Sequence, residues 1–238
     1  MTLAPNKAKI VATIGPASSS PPVLEQMIRA GMNVARLNFS HGEVDVHRQN
    51  IEHIRAAGNA AGRPVAIMAD LSGPKMRLGK IAPEPVELKP GDRYTLTTEE
   101  IVGDQRRVSV SFTRLPKVVK PGDTLSLNDG YIQMEVAKVT GNDVACMVKV
   151  GGELRSRKGL NVPGVDLGIS AFTERDRECL KFALEHGVDA VSQSFVEGAT
   201  DLKTVREAAR ELGYEPFLIA KIERARALDR LDEILEAA

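Results

Sequence analysis

Apolar positions along the first seventy residues alternate between two spacings. Ile10 to Gly15, Asn33 to Phe39 and Val65 to Leu71 have strand length and strand composition. Between these runs the spacing turns helical. Leu24, Met27 and Ile28 share one face of a segment opened by Ser20-Pro21-Pro22 and stopped at Gly31. His47, Ile51, Ile54 and Ala57 recur at helical intervals across Val44 to Gly62. The run from Val65 to Leu71 is apolar almost throughout, which predicts a strand covered on both faces of a parallel sheet.

From about Pro74 to Pro163 the helical period disappears. Lys89-Pro-Gly-Asp92 and Lys120-Pro-Gly-Asp123 are near-identical turn sequences, with Pro and Gly in type II order. Asn128-Asp129-Gly130, set between Thr124–Leu127 and Tyr131–Val139, predicts a hairpin, and Val108 to Phe112 and Val144 to Val150 supply further strands. This block reads as a small all-β module inserted into the alternating pattern.

After Pro163 the alternation resumes. Thr173-Glu-Arg-Asp176 is a capping-box variant that opens a helix through Glu185, with Gly187 ending it. Val188 to Phe195 and Pro216 to Ile222 read as strands, and Asp201 to Leu212 and Leu228 to Ala237 as helices. The fold class is therefore α/β: about five βα units with an insert after the third, which predicts a barrel-like parallel sheet with boundaries at 1–73, 74–163 and 164–238. Five units do not close an eight-stranded barrel, so the strand at Pro216–Ile222 is expected to leave an apolar edge unpaired.

Composition narrows the partners. The 238 residues carry 32 Lys plus Arg against 32 Asp plus Glu, so no net charge draws in nucleic acid or an acidic membrane. Aromatics make up 4% and Trp is absent, which removes base-stacking platforms. Cys146 and Cys179 lie far apart in no metal-ligand spacing and read as thiols of a reducing compartment. Met1 to Lys9 lacks the apolar run of a signal peptide and no 18-residue apolar stretch occurs, so a cytoplasmic chain is expected.

Candidate chemistry gathers at strand ends. In Arg36-Leu-Asn38-Phe-Ser40-His41-Gly42, strand alternation puts Arg36, Asn38 and Ser40 on one face, and Gly42 lets the chain turn. One guanidinium and two small oxygen-bearing side chains make a cradle for a phosphate, since the planar guanidinium fork offers paired donors. Lys221 and Glu223 are spaced i, i+2 at the end of the last expected strand, where a charge is costly unless it pairs or holds a metal. Glu223 is a hard oxygen ligand of the kind Mg²⁺ takes, and Lys221 a fixed positive charge. A simple Lys–Glu pair at the sheet's mouth is the plainer reading of the same two residues. Asp70 ends its strand, and Ser72-Gly73-Pro74 makes a sharp exit toward Arg77. Arg155-Ser-Arg157-Lys158-Gly159 closes the β module; with neither a Walker A pattern nor a G-x-G-x-x-G, any nucleotide is held some other way. His47, His53 and His186 form no cluster at helical spacing and read as structural or surface residues.

Taken in order, Lys9-Ile-Val-Ala-Thr-Ile-Gly-Pro-Ala17, Arg36–Gly42, Asp70-Leu-Ser-Gly-Pro-Lys75-Met-Arg77, Lys158-Gly-Leu-Asn-Val-Pro163 and Lys221-Ile-Glu223 resemble the pyruvate kinase family over essentially the whole chain. The resemblance implies phosphoryl transfer from phosphoenolpyruvate to ADP, with Mg²⁺ or Mn²⁺ as cofactor and the β module as a lid. By position, Arg36 would bind the transferring phosphoryl group and Arg77 would reach it or the nucleotide phosphates. Lys221 would stabilise the phosphoryl and the enolate oxygen. Glu223 would hold the metal, Lys158 would contact ATP, and Asn38, His41 and Asp129 are further nucleotide or lid candidates. Phosphoryl transfer asks a protein mainly for positioning and charge neutralisation, which suits this set.

Two departures stand out. Many members carry Glu where this chain has Lys75 and Thr where it has Leu71, and the Glu form resembles enzymes that need K⁺. Its K⁺ ligands would map to Asn38, Ser40, Asp70 and the backbone of Leu71. Here the Lys75 ammonium replaces that charge, and with Leu71 and Leu78 it resembles a K⁺-independent branch. The family also continues with a second metal carboxylate, further barrel strands and a regulatory domain beyond the equivalent of Ala238. The chain therefore reads as an N-terminal portion with little activity alone, from an enzyme that is a homotetramer in the resembled family. Two other readings fit parts of the pattern: a truncated relative acting as a phosphate- and metal-binding or assembly module, and a metal-dependent lyase of pyruvate-like acids. The β insert and Lys158 argue against the lyase, which needs no nucleotide lid.

Overall fold

The computed structural model describes residues 8–238; residues 1–7, on which most of the leaderless N-terminus reading rests, lie outside the described residues. The alternating runs become β1 (Ile10–Thr13), α1 (Pro21–Arg29), β2 (Met32–Asn38), α2 (Val44–Ala61) and β3 (Ala66–Leu71). The β-rich block follows as β4 (Val86–Leu88), β5 (Arg93–Thr97), β6 (Arg107–Ser109), the one-turn helix α3 (Leu115–Val118), β7 (Thr124–Leu127), β8 (Ile132–Thr140), β9 (Asp143–Val150), β10 (Gly152–Leu154) and β11 (Leu160–Asn161). Alternation returns with α4 (Glu174–Glu185), β12 (Ala190–Gln193), α5 (Ala199–Glu211), β13 (Phe217–Ala220), α6 (Ala225–Leu228) and α7 (Leu231–Ala237). The described residues fall into two compact units: those up to Pro74 together with Ser170–Ala238, and Lys75–Ile169.

In the first unit, β1, β2, β3, β12 and β13 pair in that order as a parallel sheet. Helices α1 and α2 bury Leu24, Ile28, Ile51 and Ile54 with Leu37 and Ile67 of the sheet, while Leu180, Leu184 and Val205 form a second core with Val191 and Leu218. Edge strand β1 exposes Ile10 and Val11, and edge strand β13 exposes Phe217 at 72%. The register puts Asp70 level with Asn38 on one neighbour and Ser192 on the other, which brings polar side chains to the C-terminal ends of the strands.

The second unit has its own core, built around Tyr94, Leu96, Leu125, Ile132, Met134 and Val148. Its larger sheet runs β11-β7-β8-β9-β5-β6, and β4 pairs with β10. Both Lys-Pro-Gly-Asp turns close as expected, with Gly91 and Gly122 at φ 93° and 94°. Each Asp carboxylate accepts from the Lys N–H three residues back, at 2.7 Å for Asp92 and 2.8 Å for Asp123. Asn128 and Asp129 take φ 51° and 56° at the tip of the β7–β8 hairpin.

Three local readings need correction. The strand expected to reach Ile222 stops at Ala220, because its partner β12 turns away after Gln193, so Lys221 and Glu223 lie just beyond the strand. The C-terminal helix is two, α6 and α7, since Arg230 leaves helical geometry at φ −126°. The block read as free of helix holds the single turn α3, started by Pro116 near its N-terminus. Among the described residues no helix is long and apolar enough to cross a membrane.

Candidate functional site

Asp70 is the centre of a polar network at the C-terminal ends of the parallel strands. Its side chain is 3% exposed, and a carboxylate buried that far needs charged partners. Two cations supply them. Arg36, from β2, donates through Nε to Asp70 Oδ2 at 2.9 Å and pairs again through Nη2, while its Nη1 donates to Thr13 Oγ1 at the end of β1 at 2.7 Å. Lys221, just past β13, sits with Nζ 3.2 Å from Asp70 Oδ1. Ser192 Oγ donates to the same Oδ1 at 2.8 Å. Sheet register and the turns at the strand ends therefore bring both cations onto one carboxylate.

Lys221 also joins Asp70 to Glu223. Its Nζ lies 3.1 Å from Glu223 Oε1 and donates to Ser194 Oγ at 2.7 Å. The backbone N–H of Lys221 donates to Gln193 O at 3.0 Å, which carries the β12–β13 ladder one step further and fixes where the ammonium starts. Glu223 Oε2 accepts the backbone N–H of Phe195 at 3.0 Å. Arg36, Asp70, Lys221 and Glu223, expected from separate strand ends, thus form one chain of charges.

Arg36, Asn38 and Ser40 are half-buried and alternate with buried Ala35, Leu37 and Phe39, as strand alternation implies, and Asn38 Oδ1 accepts the Ser40 backbone N–H at 3.0 Å in an Asx turn. His41 is exposed, and its carbonyl accepts from His47 Nε2 at 2.9 Å, while Gly42 takes φ 87° beside the His47 ring. His47 is itself buried, stacked on Phe39 at 4.3 Å, and desolvation lowers its pKa against the smaller opposing effect of the His41 carbonyl. Leu71 is fully buried.

The remaining candidates belong to the second unit. Arg77 Nη1 donates to Arg157 O at 2.9 Å, and Leu78 N donates to Lys158 O at 2.9 Å, so the two basic segments meet through backbone. Asp129 is exposed at the hairpin tip, and Lys75 is exposed where the unit begins.

A hard divalent cation fits the first-unit network in a limited way. Mg²⁺ keeps several waters and takes one or two carboxylates plus substrate phosphate oxygens, so a half-exposed Glu223 suits it. Among the described residues no group of three or more His, Cys, Asp or Glu is placed to hold a metal. Sequence reasoning missed Thr13, Ser192, Ser194 and Phe195. Ser192 and Ser194, two residues apart in an apolar run, were a legible sign of a polar strand face; the Phe195 amide left none.

A family model described as the pyruvate kinase barrel domain matches residues 5–238. The chain is 48% identical over 238 residues to a pyruvate kinase of Thermococcus litoralis, covering 100% of this chain and 50% of that protein. It is 44% identical over 230 residues to a pyruvate kinase of Thermotoga maritima, covering 97% of this chain and 49% of the relative. For a pyruvate kinase of Mycobacterium tuberculosis the identity is 39% over 231 residues, with 97% and 49% covered. The chain spans about half the length of the curated relatives it matches.

Proposed function

Because the chain belongs to the pyruvate kinase family, we propose that it is the phosphoryl- and metal-binding part of a cytoplasmic enzyme that transfers a phosphoryl group from phosphoenolpyruvate to ADP, giving pyruvate and ATP. The observation that supports this reading is the convergence of Arg36 and Lys221 on Asp70, with Lys221 bridging to Glu223. Two cations held apart by a buried carboxylate form a preorganised anion site, since their donors are already aimed when the ligand arrives.

In this reading an incoming phosphoryl group competes with Asp70 for the donors of Arg36, whose planar fork matches the geometry of phosphate oxygens. Lys221 Nζ, released in part from Asp70 and Glu223, places its charge where negative charge builds on the enolate oxygen as the P–O bond breaks. Mg²⁺ or Mn²⁺, held by Glu223, supplies charge neutralisation across the substrate oxygens when bound. The first unit would be part of an eight-stranded barrel and the second its inserted lid, with Arg77 and Lys158, and more weakly Asp129, serving the nucleotide phosphates. Asn38 and His41 would contact the nucleotide from the β2 turn. K⁺ would not be required, Lys75 carrying the positive charge in its stead. The full-length enzyme would be a homotetramer, and the isolated chain would bind ligand with little turnover.

The test is calorimetric titration of the chain with phosphoenolpyruvate and Mn²⁺, followed by a lactate-dehydrogenase-coupled assay after adding a C-terminal fragment. The chain should bind phosphoenolpyruvate in a Mn²⁺-dependent way and regain turnover only with the fragment. Lys221→Met should keep metal and substrate binding yet lose roughly 10²–10³ in rate. Metal-independent binding, or near-normal turnover by the variant, refutes the assignment.

A further inference from the structure

We propose that Phe195, clamped by Arg224 and Glu197, is the positioning residue that aims the Glu223 carboxylate; the inference rests on Glu223 being the metal ligand of the proposed function. Phe195 follows β12 in a turn and takes φ 60°, a left-handed conformation in which a bulky side chain is strained. Glycine would adopt it freely, so something must hold a phenylalanine there. The ring lies close against Gly73, where an added Cβ would come within 2.9 Å of Phe195 Cδ2. On the ring sits the Arg224 guanidinium, 5.3 Å from the centroid. Arg224 in turn pairs with Glu197, two residues beyond Phe195, and its side chain is 13% exposed.

The clamp acts on Glu223 from two directions. Arg224 is its chain neighbour, so anchoring that guanidinium fixes the backbone from which the carboxylate projects. The left-handed turn points the Phe195 N–H at Glu223 Oε2, 3.0 Å away, while Lys221 Nζ holds Oε1 at 3.1 Å. Each oxygen thus has one donor from the chain, and the remaining lone pairs keep a set direction for a cation. Partners of this outer kind orient a ligating group before the metal arrives. Ser194, the residue before Phe195, accepts from Lys221 Nζ at 2.7 Å, so the same turn also seats the ammonium.

The test compares the wild-type chain with Arg224→Gln, Arg224→Lys and Glu223→Gln by amide NMR, hydrogen exchange and Mn²⁺ titration followed by electron paramagnetic resonance. In the wild type the Phe195 amide proton should be protected and shifted downfield, and Glu223→Gln should move it upfield because a carboxamide is the weaker acceptor. Arg224→Gln should speed exchange at Phe195 and weaken Mn²⁺ binding about tenfold. Arg224→Lys, which keeps the charge opposite Glu197, should recover most of both. Protection of the β12 amides should stay unchanged throughout, separating a lost aim from a lost fold. An Arg224→Gln chain with wild-type Phe195 exchange and Mn²⁺ affinity overturns the clamp, as does failure of Arg224→Lys to recover either property. Equal Mn²⁺ binding by wild type and Glu223→Gln overturns the metal reading instead, and the Phe195 amide comparison still decides the clamp.

Discussion

Asp70 and His47 carry most of the information available from single side chains. Asp70 already carries two cations and a serine hydroxyl, so a K⁺ at Asn38, Ser40, Asp70 and the Leu71 carbonyl would share a carboxylate that is neutralised. The reconstituted enzyme should therefore run as fast in a buffer whose only monovalent cation is tetramethylammonium as with K⁺ added; a large rescue by K⁺ rules this out. His47 gives a pH prediction with a definite sign. Its folded pKa lies below the ordinary imidazole value of 6.5, chiefly through desolvation, so below about that pH the unfolded chain binds the proton more readily. This contribution to stability is present above pH 6.5 and is lost as pH falls from there toward the lowered value. Urea midpoints between pH 7.5 and 5.5 should fall less steeply for His47→Gln than for the wild type, and parallel slopes would count against a buried neutral imidazole. Arg36, Lys221 and Glu223 were legible in the chain because a charge beside an apolar strand demands a reason. Phe195 was not, because its φ arises from how a turn is packed and no residue type announces it.

Capping chemistry is where elements were most readable. Thr173 Oγ1 accepts the Asp176 N–H at 3.2 Å and Asp176 Oδ2 accepts the Thr173 N–H at 2.9 Å, the reciprocal pair that the spacing of these two residues implies. The structure adds a second duty: Asp176, 1% exposed, also accepts the Gly73 N–H at 3.1 Å and so ties α4 to the exit from β3. Thr173→Ala should therefore cost about 1 kcal/mol. Asp176→Ala should cost roughly 2–3 kcal/mol, because it strands a buried donor as well. Urea unfolding checks the ranking, and equal losses would remove the second duty. Element ends were the unreadable part. β13 stops when β12 turns, and the α6–α7 break falls where the Arg230 guanidinium lies close against Gly198; both ends have neighbours distant in the chain.

Over the whole molecule, two compact units with separate cores predict two unfolding steps. Cys146 lies in the second unit's core, its thiol pushed up to about 12 by burial, and Cys179 packs against two cores of the first unit. Each thiol therefore reports one unit. Pulsed alkylation along a urea gradient, read by mass spectrometry, should expose the two at different midpoints; a common midpoint would mean that the units unfold together. Strands, helices, the two Lys-Pro-Gly-Asp turns and the hairpin were readable from residue order, because periodicity, proline, glycine and capping spacings act over a few neighbouring residues. So was the resemblance carried by Arg36, Asp70, Lys221 and Glu223. Which oxygen each cation meets was settled by folding, since Lys221 and Asp70 stand 151 residues apart and come together through the parallel register of β3, β12 and β13. Hydrogen bonds demand placement within fractions of an ångström, and that placement comes from sheet pairing and turn packing, which no local stretch of chain encodes.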